Sequence, residues 1–99
     1  KLILPGVGAF DKTMELLSSS GITNELNYLV LTKKIPILGV CVGMHVMAIR
    51  SEEGDLEGLG WFDASVKKLD ISLINQKPYL PHMGWNSVKL KSKDGFFKS

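Results

Sequence analysis

Apolar and polar positions along the first half of the chain predict alternating strands and helices. Residues 2–4 and 35–40 are short apolar runs bounded by glycine or proline, which is typical of buried strands. Helical spacing begins near Asp11, stops at the Ser-Gly run of residues 18–21 and resumes over residues 26–34. A third helix is predicted from Met44 to about Ser51.

This order predicts an α/β fold, with a parallel sheet covered by helices on both faces. Residues 66–69 and 88–91 combine apolar side chains with lysines, which predicts two half-exposed strands, and in residues 88–91 the two kinds alternate. Trp61 and Phe62 follow a glycine pair and are expected to pack into the core at the start of a strand.

Composition and charge exclude several classes of function. The 99 residues form one domain at most. A composition of 44% hydrophobic and 22% charged residues is typical of a soluble globular protein. A net charge of +2 gives no reason to expect a nucleic acid or membrane partner. No apolar run approaches the roughly 18 residues of a membrane span. The single cysteine excludes an internal disulfide and fits a cytoplasmic protein.

Both ends of the sequence resemble cuts within a domain. The chain opens inside an apolar strand without an initiator methionine, and it stops just after a strand-like segment. We therefore expect residues 1–99 to be part of a longer domain that is incomplete at both ends.

The strongest chemical signal is the nucleophile elbow (residues 39–43), in which Cys41 lies between two glycines at a strand-to-helix junction. Such a turn strains the backbone of the nucleophile and exposes its side chain, while the helix N-terminus favours thiolate over thiol. The N–H of Val42 is placed to donate to an oxyanion. The glycine turn (residues 5–8) ends the neighbouring strand and is a source of a second donor.

Two other interpretations of Cys41 remain open from the residues alone. A lone cysteine is commonly a small buried hydrophobe. Cys41 and His45 also have the spacing of a helical metal-ligand pair, but no further cysteine or carboxylate cluster completes a ligand shell. We therefore predict no metal and no cofactor.

Four motifs occur in the order found in one family: residues 4–10, 39–44, 51–54 and 81–86. In them the chain resembles the class I glutamine amidotransferases, and most closely the glutaminase subunits of imidazole glycerol phosphate synthase in histidine biosynthesis. The first two motifs are shared widely in the class, whereas residues 81–86 are more specific. The resemblance implies a flavodoxin-like, three-layer α/β domain.

The resemblance also implies roles for individual residues. Cys41 matches the nucleophile that attacks the side-chain amide of L-glutamine. Val42 matches one oxyanion donor, and the Val7–Gly8 peptide matches the other, supplied by a flip when the partner is active. Gly8 and Glu53 match positions that hold the substrate, as does His45, where the family usually has glutamine.

A partner is implied by the last motif. It matches a surface that faces a (β/α)₈-barrel cyclase subunit, which consumes the ammonia in a heterodimer. The residues concerned are Pro81, His82, Met83, Gly84, Trp85 and Asn86. A buried or loop-anchoring role is the alternative for Trp85.

Other functions stay possible at this point. A related subunit could feed a different synthase, such as one that builds amidino sugars for surface polysaccharide. The polypeptide could also be a non-catalytic docking piece, or a cysteine hydrolase with another substrate.

The family's general base and its orienting partner form a His-x-Glu pair, and none of the 99 residues forms one. Neither His45 nor His82 is expected to replace that base. We therefore predict no measurable glutaminase turnover for the 99-residue chain alone, because nothing deprotonates the thiol. Release of glutamate and ammonia from glutamine measures this, and turnover by the isolated chain would contradict it.

Overall fold

The structure, a computed structural model, describes residues 1–77 and 80–91. Contacts along the chain divide it into two units, Lys1–Leu69 and Asp70–Ser99, and each is considered by itself. The strands and α-helices that are described lie in the first unit. No helix within the described ranges is long and apolar enough to cross a membrane.

A parallel pair of strands forms the centre of the first unit. Strand β1 (Leu2–Gly6) pairs with β2 (Ile37–Cys41) in a register that places Leu2 opposite Ile37 and Gly6 opposite Cys41. Parallel strands require a crossover connection, which the helical segments between them provide. The strands predicted from the two apolar runs, and their parallel pairing, are confirmed.

The crossover contains the two predicted helical stretches, although the second ends at Thr32 and so leaves residues 33–34 outside its last turn. Helix α1 (Phe10–Ser20) ends at Gly21, whose φ of 76° lies in the left-handed region that favours glycine. Helix α2 (Thr23–Asn27) continues into a π-helical segment, Tyr28–Thr32, in which the N–H of Lys33 donates to the carbonyl of Tyr28.

The core of this unit lies where α1 packs against α3 and the residue that follows it. Its four central side chains are buried and come from α1 and from the segment that follows Cys41. They are Phe10, Leu17, Val42 and Val46, and the half-buried Leu4, Met14, Leu26 and Leu59 pack against them. Three of the four, Phe10, Val42 and Val46, lie within two residues of the predicted site residues Gly8, Cys41 and His45, so the core holds the site segments directly.

The third predicted helix is shorter than expected. Helix α3 spans only Val42–His45, and the prediction that it continues to about Ser51 is wrong. The backbone carbonyls that would extend it accept instead from a returning segment: that of Val46 from the N–H of Leu59 at 2.7 Å, and that of Met47 from Trp61 at 2.8 Å. These tertiary hydrogen bonds satisfy the carbonyls without further helix.

A second parallel pair follows α3. Strand β3 (Arg50–Ser51) pairs with β4 (Ser65–Val66), so the strand predicted over residues 66–69 is confirmed only at its beginning. The expectation for Trp61 and Phe62 is wrong in part. No strand starts there, and Phe62 is 53% exposed, whereas Trp61 is half-buried and its Nε1 donates to Oδ1 of Asn27 at 2.7 Å.

The second unit contains little regular structure in its described residues. A 3₁₀ turn, Ile71–Leu73, is capped by the carboxylate of Asp70, and hydrogen bonds from the Ser72 hydroxyl and N–H lower the pKa of that carboxyl. Residues 88–91 form no strand, so that prediction is wrong. An isolated extended segment lacks the ladder partner that stabilises a strand, and Val88 is 89% exposed.

Close backbone packing joins α3 to β1 and β2. A Cβ at Gly43 would overlap the carbonyl oxygen of Leu4 and lie 3.1 Å from the carbonyl carbon of Pro5. A Cβ at Gly39 would lie 2.6 Å from Cα of Met44. Since these neighbours are backbone atoms, no side-chain rotation relieves either overlap. The two glycines of the nucleophile elbow are therefore needed for packing.

We predict that Gly43→Ala destabilises the full-length protein by about 3 kcal/mol or more, because the helix must move off the strand. Gly21→Ala is the matched control, since it adds the same methyl group in open space at a positive φ. The control should lose only about 1 kcal/mol. Urea unfolding measures both free energies, and equal losses would contradict the packing argument.

Candidate active site

Cys41 lies at the junction of β2 and α3 in a strained conformation. Its φ of 57° and ψ of −129° are unusual for any residue other than glycine. Its side chain is exposed. The interpretation of Cys41 as a buried hydrophobe is therefore wrong, and the strand, turn and helix around it have the geometry of a nucleophile elbow.

The neighbouring strand brings the glycine turn to the same end of the sheet. Gly6 is the register partner of Cys41, so Val7 and Gly8 continue from the carboxyl end of β1 beside the thiol-bearing turn. Val7 is 98% exposed. Gly8 has a φ of 118° and no atom within 4 Å of where its Cβ would lie.

Val42 has a different environment from the thiol that precedes it. Its side chain is only 2% exposed and belongs to the core cluster, while its backbone N–H begins α3. The first N–H groups of a helix have no intrahelical partner and are available to an anion. A buried side chain next to an exposed thiol fixes the direction in which that N–H points.

The structure gives different environments to Glu53, which the family resemblance assigned to the substrate, and to the adjacent Glu52. Oε2 of Glu52 accepts from the N–H of Lys68 at 2.8 Å, so this side chain ties the segment after β4 to the segment after β3. Glu53 is exposed, and its carboxylate has no hydrogen bond or ion pair within the described residues. Glu53 is thus the glutamate with a carboxylate available to a ligand.

His45 ends α3, one helical turn beyond Cys41, and is half-buried. Its Nδ1 is buried and has no hydrogen-bond partner among the described residues, which is unfavourable unless another polar group supplies one. In the described part of the chain no three histidine, cysteine, aspartate or glutamate side chains are grouped as metal ligands, so nothing completes a site around Cys41 and His45.

The residues predicted to face a partner all lie in the second unit and are exposed. Trp85 is fully exposed and Met83 is 83% exposed in the described structure. The ring Nε2 of His82 lies 3.2 Å from Nδ2 of Asn86. The set comprises Pro81, His82, Met83, Gly84, Trp85 and Asn86.

One residue near the site was missed by sequence reasoning. Asp11, in the first turn of α1, accepts with both carboxylate oxygens from the backbone of the glutamate loop (residues 52–56). The bonds span 44 and 45 residues of sequence. An acidic residue in a first helical turn is ordinary, so no local signal distinguished it.

With this geometry in place, comparison with known proteins identifies the class. Residues 2–99 match the family described as "Glutamine amidotransferase class-I". The chain belongs to that family, and the resemblance seen in its motifs and its α/β character are confirmed.

The names of individual relatives within this family are more specific. The chain is 52% identical over 88 residues to imidazole glycerol phosphate synthase subunit HisH of Leptospira interrogans, covering 89% of the chain and 43% of the relative. It is 46% identical over 99 residues to the subunit of that name from Leptospira borgpetersenii, covering 100% of the chain and 48% of the relative. Subunit HisH 2 of Methanococcus maripaludis is 48% identical over 94 residues, 95% of the chain and 45% of the relative. The chain thus spans about half the length of these curated relatives.

We predict that Cys41→Gly stabilises the full-length protein relative to Cys41→Ala by about 1 kcal/mol. Alanine keeps a Cβ at a positive φ, whereas glycine removes that strain from the folded state. Glycine also makes the unfolded chain more flexible, which cancels part of the gain in stability. Urea unfolding of the two variants gives the difference. A less stable glycine variant would show that the backbone of residue 41 is unstrained.

Proposed function

We propose that the protein is a glutaminase subunit of imidazole glycerol phosphate synthase, which hydrolyses L-glutamine at Cys41 and passes ammonia to a cyclase subunit. The observation that carries the proposal is the exposed Cys41 thiol on a strained backbone at a strand-to-helix turn. Membership of the amidotransferase family and the names of the relatives support the same activity.

In this proposal the sulfur of Cys41 attacks the side-chain amide carbon of glutamine and forms a tetrahedral oxyanion. The carbon–nitrogen bond then breaks, the nitrogen takes a proton and leaves as ammonia, and a glutamyl thioester remains. Water cleaves the thioester, releasing glutamate and regenerating the thiol. The protons are carried by a histidine of the family's His-x-Glu pair in the full-length protein.

The oxyanion is stabilised by two backbone N–H groups. The N–H of Val42 is one, since it begins a helix directly after the nucleophile. The Val7–Gly8 peptide supplies the other by turning its N–H toward the oxyanion. The open space around Gly8 and the exposure of Val7 support this rotation, because no packed side chain opposes it.

The substrate is held by Gly8, Glu53 and His45. The available carboxylate of Glu53 suits the α-ammonium group of glutamine. His45 stands where the family usually has glutamine, half-buried and one helical turn beyond Cys41, which supports a place for it at the substrate site.

The partner is a (β/α)₈-barrel cyclase that docks on residues 81–86. The full exposure of Trp85 supports this role, since tryptophan is enriched among residues that dominate binding at interfaces. His82 belongs to this surface in the proposal and takes no part in proton transfer. The reaction is placed in the cytoplasm, where a free catalytic thiol stays reduced.

The complete domain is proposed to be the three-layer, flavodoxin-like sandwich. One face of the β1–β2 pair packs on the core, while Ile3, Leu38 and Val40 on the other face are 69%, 41% and 47% exposed. A parallel sheet is normally covered on both faces. A second helical layer over this face completes the sandwich.

We predict that Cys41→Ala abolishes glutaminase activity of the full-length protein in complex with its cyclase, lowering turnover at least about 10³-fold. The complex should still form, because the variant changes an exposed side chain in the first unit. Glutamate release measures the loss, and co-elution of the two subunits measures assembly.

Synthase activity with added ammonia in place of glutamine is the control for this variant. Synthase activity should remain, since the variant loses only the release of ammonia from glutamine. Full glutaminase activity in Cys41→Ala would overturn the nucleophile assignment. Absence of glutaminase activity in the unmodified complex would favour a docking role instead.

A further inference from the structure

Asp11 joins α1 to the glutamate loop through a two-point contact. Its Oδ2 accepts from the N–H of Asp55 at 2.9 Å, and its Oδ1 accepts from the N–H of Leu56 at 3.0 Å. Hydrogen bonds to an ionised carboxylate are stronger than those between neutral groups. Two such bonds fix both the orientation of the loop and its distance from the helix.

The contact depends on close approach of the loop backbone. A Cβ at Gly54 would overlap Oδ1 of Asp11 and lie 2.6 Å from its Cγ. Any other residue at position 54 would therefore push the carboxylate away from the two N–H groups. The contact made by Asp11 therefore requires glycine at position 54.

The two segments joined by Asp11 each carry a proposed substrate-site residue. Gly8 lies just before α1, and the buried Phe10 holds the start of that helix in the core. Glu53 lies in the glutamate loop, just before Gly54. Asp11 thus sets the position of the glutamate relative to the glycine turn.

Glu53 is held from the other side as well. Its N–H donates to Oγ of the buried Ser51 at 3.1 Å, and the adjacent Glu52 bonds to the backbone of Lys68. The backbone on both sides of Glu53 is anchored, while its own carboxylate is left without a protein partner among the described residues. This arrangement fixes the backbone of a glutamate whose carboxylate is available to a ligand.

We propose that Asp11 is a positioning residue for glutamine binding, which acts by holding the glutamate loop so that Glu53 meets the α-ammonium group. The inference rests on the proposed function, since it assumes that Glu53 binds glutamine. Asp11 touches neither the substrate nor the thiol in this account. Its removal therefore weakens substrate binding more than it slows the chemical step.

The test uses the full-length protein in complex with its cyclase. Asp11→Asn keeps the size of the side chain but turns an NH₂ group toward one of the two N–H donors, and it should raise the KM for glutamine roughly tenfold. The kcat should change by less than about threefold. Asp11→Glu, which restores the carboxylate on a longer stem, should recover part of the affinity.

Asp63→Asn is the matched control, since Asp63 is exposed and has no hydrogen bond or ion pair in the described residues. It removes the same charge and should leave both constants unchanged. Alkylation of Cys41 gives a second measurement. Asp11→Asn should slow reaction with a glutamine-mimicking electrophile about tenfold and leave the iodoacetamide rate unaltered, because only the former requires the α-ammonium site.

The outcomes separate the two proposals. An unchanged KM in Asp11→Asn, or equal slowing of both alkylations, would overturn the positioning role while leaving the glutaminase proposal in place. If the unmodified complex neither turns over glutamine nor reacts selectively at Cys41, both proposals fail. A raised KM with a preserved kcat, partial recovery in Asp11→Glu and a silent control supports the role of Asp11.

Discussion

The backbone contact between Gly43 and the carbonyl group of Leu4 determines where the proposed catalytic groups lie. Because glycine has no Cβ, α3 can start directly against β1, and the chain must turn sharply between β2 and that helix. The turn places Cys41 at a φ of 57° with its side chain exposed, and it starts the helix at Val42. The positions of the nucleophile, of the first oxyanion donor and of the neighbouring glycine turn all follow from this packing.

The strain at this turn is compensated in the hydrophobic core. Val42 follows the strained residue and Phe10 begins α1 just after the glycine turn, and both side chains are buried in one cluster. The glycine turn and the nucleophile elbow are therefore each held by a large apolar side chain within two residues. This arrangement keeps an exposed thiol and an open glycine turn in place without packing atoms against either.

Local sequence patterns predicted what local interactions determine. Strands β1 and β2, helix α1 and the nucleophile elbow follow from apolar runs and glycine positions, so they could be predicted. The early end of α3 could not, because the carbonyls of Val46 and Met47 bond to residues that return from farther along the chain. The role of Asp11 could not be predicted for the same reason, because its hydrogen bonds reach residues 44 and 45 positions away. The difference between Glu52 and Glu53 depends on a hydrogen bond to Lys68 that no spacing reveals.

Covalent trapping of the substrate tests the central claim most directly. The full-length complex would be mixed with radiolabelled glutamine, quenched in acid within milliseconds and digested, and the labelled peptide would be sequenced. The account predicts label on the peptide that contains Cys41, released by hydroxylamine as expected of a thioester. Label on another side chain, or glutamine turnover with no labelled intermediate at Cys41, would contradict it.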